Sequence, residues 1–155
     1  MDINIPGVGS FHLTNVVFDL NGTLAVDGSI NDDVKQRIRK LSQQFHVVIA
    51  SSDIHNTLTA LAKELDVDYY ILKSGEIAPQ KAAIVRQLGA NSTIAVGNGT
   101  NDWQMLREAA IGIAVVGKEG ASLKAATNAD ILVTGAADAI DCILNPVRLI
   151  ATLRF

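Results

Sequence analysis

Val16 to Leu24 reads V-V-F-D-L-N-G-T-L, a short apolar run that ends in a carboxylate and passes at once into Asn-Gly-Thr. The run is too short for a helix and rich in residues that favour extended chain. It predicts a buried strand that delivers Asp19 at its carboxyl end. Gly22 permits a tight turn, and Asn21, Thr23 and the freed amides around it can hold an anion. A carboxylate so placed can act as metal ligand, as nucleophile or as both. An Asp before an Asn-Gly turn can equally serve only the turn's own hydrogen bonds, so its meaning depends on the other strand ends.

Outward from that stretch, strand and helix signals alternate. Upstream, residues 2–13 alternate loosely around Pro6-Gly7 and Gly9-Ser10 and predict an N-terminal hairpin beside the main sheet. Downstream, Asn31, Asp32 or Asp33 can cap a helix reaching about Gln44, with Val34, Ile38 and Leu41 on one face. H-V-V-I-A at 46–50 predicts a second strand that breaks into Ser51-Ser52-Asp53, followed by a helix over 54–65. A brief strand at 69–72 precedes a helix that has Pro79 in its first turn and stops at Gly89. Thr93 to Val96 predicts a strand ending in G-N-G-T-N-D, with a helix over 103–110 and a strand over 111–116 after it. A short helix at 121–127, a strand at 131–133 and a helix at 136–144 complete the pattern. The tail from Pro146 to Phe155 is apolar, and either packs on the domain or joins a subunit contact.

Alternation with nearly continuous apolar strands predicts an α/β fold: a doubly wound, mostly parallel, Rossmann-like sheet with helices on both faces. The length of 155 residues suits a single domain over 1–155. Thirteen basic residues are scattered among sixteen acidic ones with no basic block, which speaks against a nucleic-acid surface. Cys142 is the one cysteine, so an internal disulfide and a cysteine metal cluster are both excluded. No apolar run reaches spanning length and the N-terminus lacks an export signal, so a cytoplasmic protein without a membrane partner is expected.

Polar groups fall where this topology concentrates function, at the carboxyl ends of strands. They are Asp19 with Asn21 and Thr23; Ser51; Lys81 near a helix start; and Asn98 with Asn101 and Asp102. The set fits an anion with a divalent cation. Asp19 can bind Mg2+ and attack phosphorus, while Ser51 and Lys81 hold the oxygens that do not transfer. Asp102 can orient Lys81 or contribute to the metal surroundings. His12, His46 and His55 are not arranged as a metal site; His46 opens a strand and His55 sits near a helix start, where it is either structural or, lying just beyond Ser51-Ser52-Asp53, a residue that approaches the substrate. Trp103 is read as helix packing, and Ser52 and Asp53 as caps of the following helix.

D-L-N-G-T-L at 19–24, the strand ending in Ser51, Lys81 in P-Q-K-A-A-I-V and G-N-G-T-N-D-W-Q-M-L at 97–106 together resemble the four ordered motifs of the haloacid dehalogenase-like superfamily. A-A-I-G-I-A-V at 109–115 resembles in particular the phosphorylation domain of P-type ATPases and their small soluble relatives. The resemblance spans about residues 11–140. It implies Mg2+-dependent phosphoryl transfer through an aspartyl-phosphate, with a phosphorylated substrate or phosphate ion as partner. Position by position, Asp19 matches the nucleophile, Ser51 the hydroxyl that contacts phosphate and Lys81 the lysine that steadies the phosphoenzyme. Thr23 matches the small polar residue after the turn, and Asp102 the later acid of the fourth motif. Asp19, the backbone carbonyl of Asn21, Asn98 and Asp102 are the implied metal surroundings, with Asn101 in support.

Two positions depart from that pattern. Asn21 stands where phosphatases place a second Asp as general acid and base. An amide cannot exchange a proton near neutral pH, a loss worth roughly 100- to 10000-fold. Asn98 stands where the family places a metal-binding Asp; its carbonyl oxygen remains a ligand without charge. The resemblance therefore implies slow or narrow turnover, or binding without turnover. Restoring both acids is expected to raise phosphatase activity if the pocket geometry is intact, and no gain would point to a displaced site. Asp19 to Ser51 and Ser51 to Lys81 are each about thirty residues, too little for an inserted lid. By the same resemblance this is a capless member, a type that often forms homo-oligomers.

Overall fold

The alternation outward from Val16 is realised as a six-stranded parallel sheet. The computed structural model describes residues 1–52 and 57–155. The elements run β1 (Asp2–Ile5), β2 (Gly9–His12), β3 (Asn15–Phe18), α1 (Asp32–Leu41), β4 (His46–Ser51), α2 (Leu58–Leu65), β5 (Asp68–Ile71) and α3 (Ile77–Leu88). They continue as β6 (Thr93–Gly97), α4 (Trp103–Glu108), β7 (Ile111–Val115), α5 (Leu123–Ala126), β8 (Ile131–Val133), α6 (Ala136–Leu144) and α7 (Pro146–Leu153). The sheet order is β5-β4-β3-β6-β7-β8, while β1 and β2 form a separate antiparallel hairpin. From β3 the chain winds outward through β4 and β5, then returns to β6 on the other side of β3. The winding direction therefore reverses between β3 and β6, and at such a point the loops part and leave a crevice at the carboxyl edge. Among the described residues no cap domain is inserted in the sheet.

The period-2 geometry of strands sorts side chains onto two faces. Val16, Phe18, Val47, Ile49, Ile94, Val96 and Ile113 join α1, α2 and α6 in one core. Val17, Val48, Ala50, Ala95 and Ala114 face Ile84 and Val85 of α3, Met105 and Leu106 of α4, and Ala125 of α5. This second face is made largely of small residues, so its helices sit close. A methyl group on Gly112 would meet the Leu106 carbonyl oxygen at 2.4 Å. Asp19 shares the parity of Val17 and continues the ladder, its N–H donating to Val96 O at 2.9 Å. It is thereby directed to the α3–α4 side.

Two helix ends differ from expectation for reasons visible in their hydrogen bonds. The helix expected to reach Gln44 stops at Leu41, where Ser42 turns its hydroxyl onto Arg39 O at 3.0 Å and competes with the helical ladder. α4 ends at Glu108 because the Ala110 N–H is drawn to the start of β6, donating to Thr93 O and Ala90 O at 2.9 and 2.8 Å. The tail forms α7, with Pro146 at its first position, and packs on α6 and β1. Asn31 is the cap of α1, its side chain accepting from Asp33 N. The expected start of the helix at 54, Asp53 as its cap and His55 beside the substrate lie outside the described residues. Among the described residues no helix is long and apolar enough to cross a membrane.

Candidate active site

Asp19, Lys81 and Asp102 meet at the carboxyl edge of the sheet. Asp19 follows the last residue of β3, Lys81 projects from the second turn of α3, and Asp102 closes a 3-10 turn at Thr100–Asp102 just before α4. Lys81 Nζ donates to Asp19 Oδ1 at 2.6 Å and to Asp102 Oδ1 at 2.5 Å. The three side chains are almost wholly buried: Asp19 is 6% exposed, Lys81 1% and Asp102 0%. Desolvation of this kind is severe unless charges are paired, and removing one partner of a buried pair typically costs about 3–5 kcal/mol.

One ammonium between two carboxylates leaves an excess negative charge, and that excess falls on Asp19. Burial first, and the Asp102 charge second, push its carboxyl up to about 6, against the lowering by Lys81 and the Leu20 amide. For Lys81, burial alone favours the neutral amine. The flanking carboxylates outweigh it and hold the ammonium above its ordinary value. The two shifts agree in sense: the cluster keeps the lysine charged and makes Asp19 costly to ionise.

Asp102 has no free oxygen. Its Oδ1 faces Lys81, and its Oδ2 accepts from the N–H groups of Asn98 and Gly99 at 2.9 and 2.8 Å. Gly97 allows this approach, since a methyl group there would lie 2.6 Å from Asp102 Cγ. The arrangement orients Lys81 and turns the 97–102 loop.

The other candidates take distinct places. Thr23 Oγ1 lies 3.2 Å from Asp19 Oδ2 and 3.0 Å from Asn98 Oδ1, within reach of both as a donor. Ser51 is buried at the end of β4, where Phe18 pairs with Ile49; Asp19 therefore lies level with Ala50, one residue short of Ser51. Asn21 is exposed and borders a cleft of about 520 Å3 with Asp27, Lys35 and Thr57. Asn101 does not join the buried cluster. It is exposed and lines a separate cleft of about 510 Å3 with the first turn of α3, Trp103 and Lys124. Trp103 is half-buried with Lys124 Nζ 4.3 Å from its ring centre, so it is more than helix packing. A concavity of about 530 Å3 around Phe45, His46 and Tyr69 lies at the opposite edge of the sheet and holds none of the candidates.

The turn at 117–120 was not anticipated as part of this edge. G-K-E-G signals a tight turn, and Gly120 has φ +77°. Nothing in the sequence announces that Gly120 O returns to accept from Asn98 Nδ2 at 3.1 Å, or that Glu119 Oε1 accepts from Asp27 N at 2.9 Å.

Among the described residues no group of three or more His, Cys, Asp or Glu side chains could hold a metal ion. The donors near Asp19 are oxygens, a carboxylate and main-chain or amide carbonyls. That set suits Mg2+, which keeps several waters and needs only one or two carboxylates.

The comparisons with known proteins agree with this fold. A family profile described as haloacid dehalogenase-like hydrolase matches residues 11–110. An uncharacterized protein of Methanocaldococcus jannaschii is 49% identical over 61 residues, 39% of this chain and 66% of that protein. A copper-exporting P-type ATPase of Staphylococcus aureus is 34% identical over 107 residues, 66% of this chain but only 13% of the ATPase. The chain thus spans less than two thirds of either relative. In fold it is similar to 3-deoxy-D-manno-octulosonate 8-phosphate phosphatase from Moraxella catarrhalis, solved with magnesium ion, phosphate ion and KDO. The TM-score is 0.72 at 18% identity, over 92% of this chain and 94% of the other.

Proposed function

Since the chain belongs to the haloacid dehalogenase-like hydrolase family, we propose that this phosphatase-like hydrolase is a Mg2+-dependent phosphohydrolase or phosphotransferase acting through an aspartyl-phosphate on Asp19. The observation that carries the reading is the single ammonium of Lys81 held between Asp19 and Asp102, 2.6 and 2.5 Å away.

In the proposed reaction an oxygen of Asp19 attacks phosphorus. The bond from phosphorus to the leaving oxygen breaks, and the leaving group departs with the electron pair. Lys81 offsets the negative charge that gathers around Asp19, and Asp102 keeps the ammonium in place. Ser51 holds an oxygen that does not transfer, and Thr23 fixes the carboxylate of Asp19. Water then attacks the phosphorus of the phosphoenzyme, which frees phosphate and regenerates the carboxylate. Asp19 and the main-chain carbonyl of Asn21 would hold Mg2+, which when bound neutralises charge on the phosphoryl oxygens. Asn21 can neither protonate the leaving group nor activate water, so both proton transfers fall to solvent and turnover is slow. The amides at 21 and 98 also favour a second reading, a phosphate-binding or regulatory protein in which the pocket binds an anion without turnover.

Hydrolysis of a panel of phosphomonoesters with Mg2+, parent against Asp19→Asn, separates the readings. The parent is expected to show slow turnover and a phosphorylated intermediate that the variant lacks. Equal background rates in both would remove the catalytic reading. Failure of the parent to bind beryllofluoride, a mimic of the aspartyl-phosphate, would remove the binding one as well.

A further inference from the structure

Asn98 occupies a position where the resemblance implies a charged metal ligand, yet its hydrogen bonds describe another task. Its side-chain Oδ1 lies 3.0 Å from Thr23 Oγ1, and its Nδ2 donates to Gly120 O at 3.1 Å. Its main-chain N–H donates to Asp102 Oδ2 at 2.9 Å, and its carbonyl accepts from Ser122 N at 2.8 Å. Both ends of the amide and both main-chain groups are therefore engaged. Together they reach three parts of the carboxyl edge: the turn after β3, the loop after β6, and, through both Gly120 and Ser122, the 117–122 turn that leads into α5.

From this we infer that Asn98 is a positioning residue, a clasp joining the three loops around Asp19, and that a carboxylate at this position opens the clasp instead of completing a metal centre. The inference takes its interest from the active site proposed above, although the clasp is a matter of geometry alone. Asp matches Asn in shape but carries no donor when ionised. Placed here, it would set a charged oxygen about 3.1 Å from Gly120 O with no proton between them. An unpaired acceptor against an acceptor is the costly form of a broken hydrogen bond. The amide lies close against Gly22, where a methyl group would fall 2.4 Å from Nδ2. Gly22 itself has φ +78°, a conformation that glycine tolerates best.

The consequence reaches the nucleophile through Thr23. Its hydroxyl has one proton and two acceptors, Asp19 Oδ2 at 3.2 Å and Asn98 Oδ1 at 3.0 Å. A charged oxygen at position 98 would hold that proton more strongly than a neutral amide does, and would withdraw it from Asp19. Removal of the side chain would leave the proton wholly to Asp19. Either change alters what Asp19 meets, by opposite routes.

Four proteins test the inference: the parent, Asn98→Asp, Asn98→Ala, and Asn15→Ala as a structural control at the opposite edge of the sheet. Amide hydrogen exchange at Ser122, Mg2+ affinity by calorimetry and the 19F spectrum of the beryllofluoride complex are the readouts. Both Asn98 variants are expected to exchange at Ser122 about tenfold faster than the parent, the effect of roughly one lost hydrogen bond. Mg2+ affinity in Asn98→Asp is expected not to exceed that of the parent. The 19F spectrum should shift in both Asn98 variants and keep its parental form in Asn15→Ala. Tenfold tighter Mg2+ binding by Asn98→Asp, with Ser122 exchange at the parental rate, would overturn the clasp. If Asn98→Asp does not fold, parental exchange in Asn98→Ala would overturn it equally. A parent that binds neither Mg2+ nor beryllofluoride would defeat the proposed function, while the exchange rates would still decide the clasp.

Discussion

The two ends of β3 carry buried polar groups of opposite character. At the amino end, Asn15 is 7% exposed. Its Nδ2 donates to Leu88 O and Thr14 Oγ1 at 3.0 Å each, and its Oδ1 faces His46 Nδ1 at 3.3 Å. Four residues later, just past the carboxyl end, Asp19 is equally buried but sits in a charged cluster with one negative charge too many. The amide carries no charge and finds hydrogen-bond partners for both its ends. The carboxylate, its pKa pushed up to about 6, is held in a state that ionises at a cost. Burial of a polar group therefore does not mark function by itself. What marks it is a charge that the surroundings pair incompletely, at the edge where the sheet's winding reverses. By this criterion Asn98, though it stands in the active-site loop, belongs with Asn15.

The largest effect should come from Lys81→Met, which strips the cation from two buried carboxylates. A loss of about 3–5 kcal/mol is expected from urea denaturation, together with loss of any phosphoenzyme. A variant as stable as the parent would mean that the carboxylates find other partners, and the contrast between the strand ends would fail.

Asp19→Asn should act in the opposite direction. The folded chain holds the Asp19 proton more tightly than the unfolded chain, whose carboxyl lies near 3.8. The stability this group contributes is fully present below about 3.8 and is lost as pH rises through about 6. Asn stands in for the protonated form. In EDTA the variant should be more stable than the parent by about 3 kcal/mol at pH 8, and the gain should vanish near pH 4. A gain independent of pH would show that Asp19 is not the strained group.

The smallest effect belongs to Asn15→Ala, which deprives several buried partners of one amide. A cost of about 1–2 kcal/mol is expected, with phosphomonoester turnover unchanged. Altered turnover in that variant would mean that the two ends of β3 are coupled.

Much of this was legible before the fold was seen. The strands announced themselves because both sheet faces are covered, which makes runs such as V-V-F and H-V-V-I-A continuously apolar. Asp19, Lys81 and Asp102 stood out as charged residues beside apolar runs, where an unpaired charge is not tolerated. Asn101 shared the same motif and yet lies outside the cluster, because its place in the 3-10 turn faces the neighbouring cleft. The early end of α4 was not legible either, since it depends on carbonyls at Ala90 and Thr93 across the chain.

From the order of residues alone came the alternation of strand and helix, the carboxyl edge as the place where polar groups gather and Asp19 as a candidate nucleophile or metal ligand, because periodicity and charge are local properties. Which polar groups are left free to act was decided only in three dimensions. Asp102 accepts from Lys81 and two amides, and Asn98 is bonded to Thr23, Gly120 and Ser122. A hydrogen bond depends on where the partner's oxygen or N–H ends up, and these partners come from loops that only the packed sheet brings together.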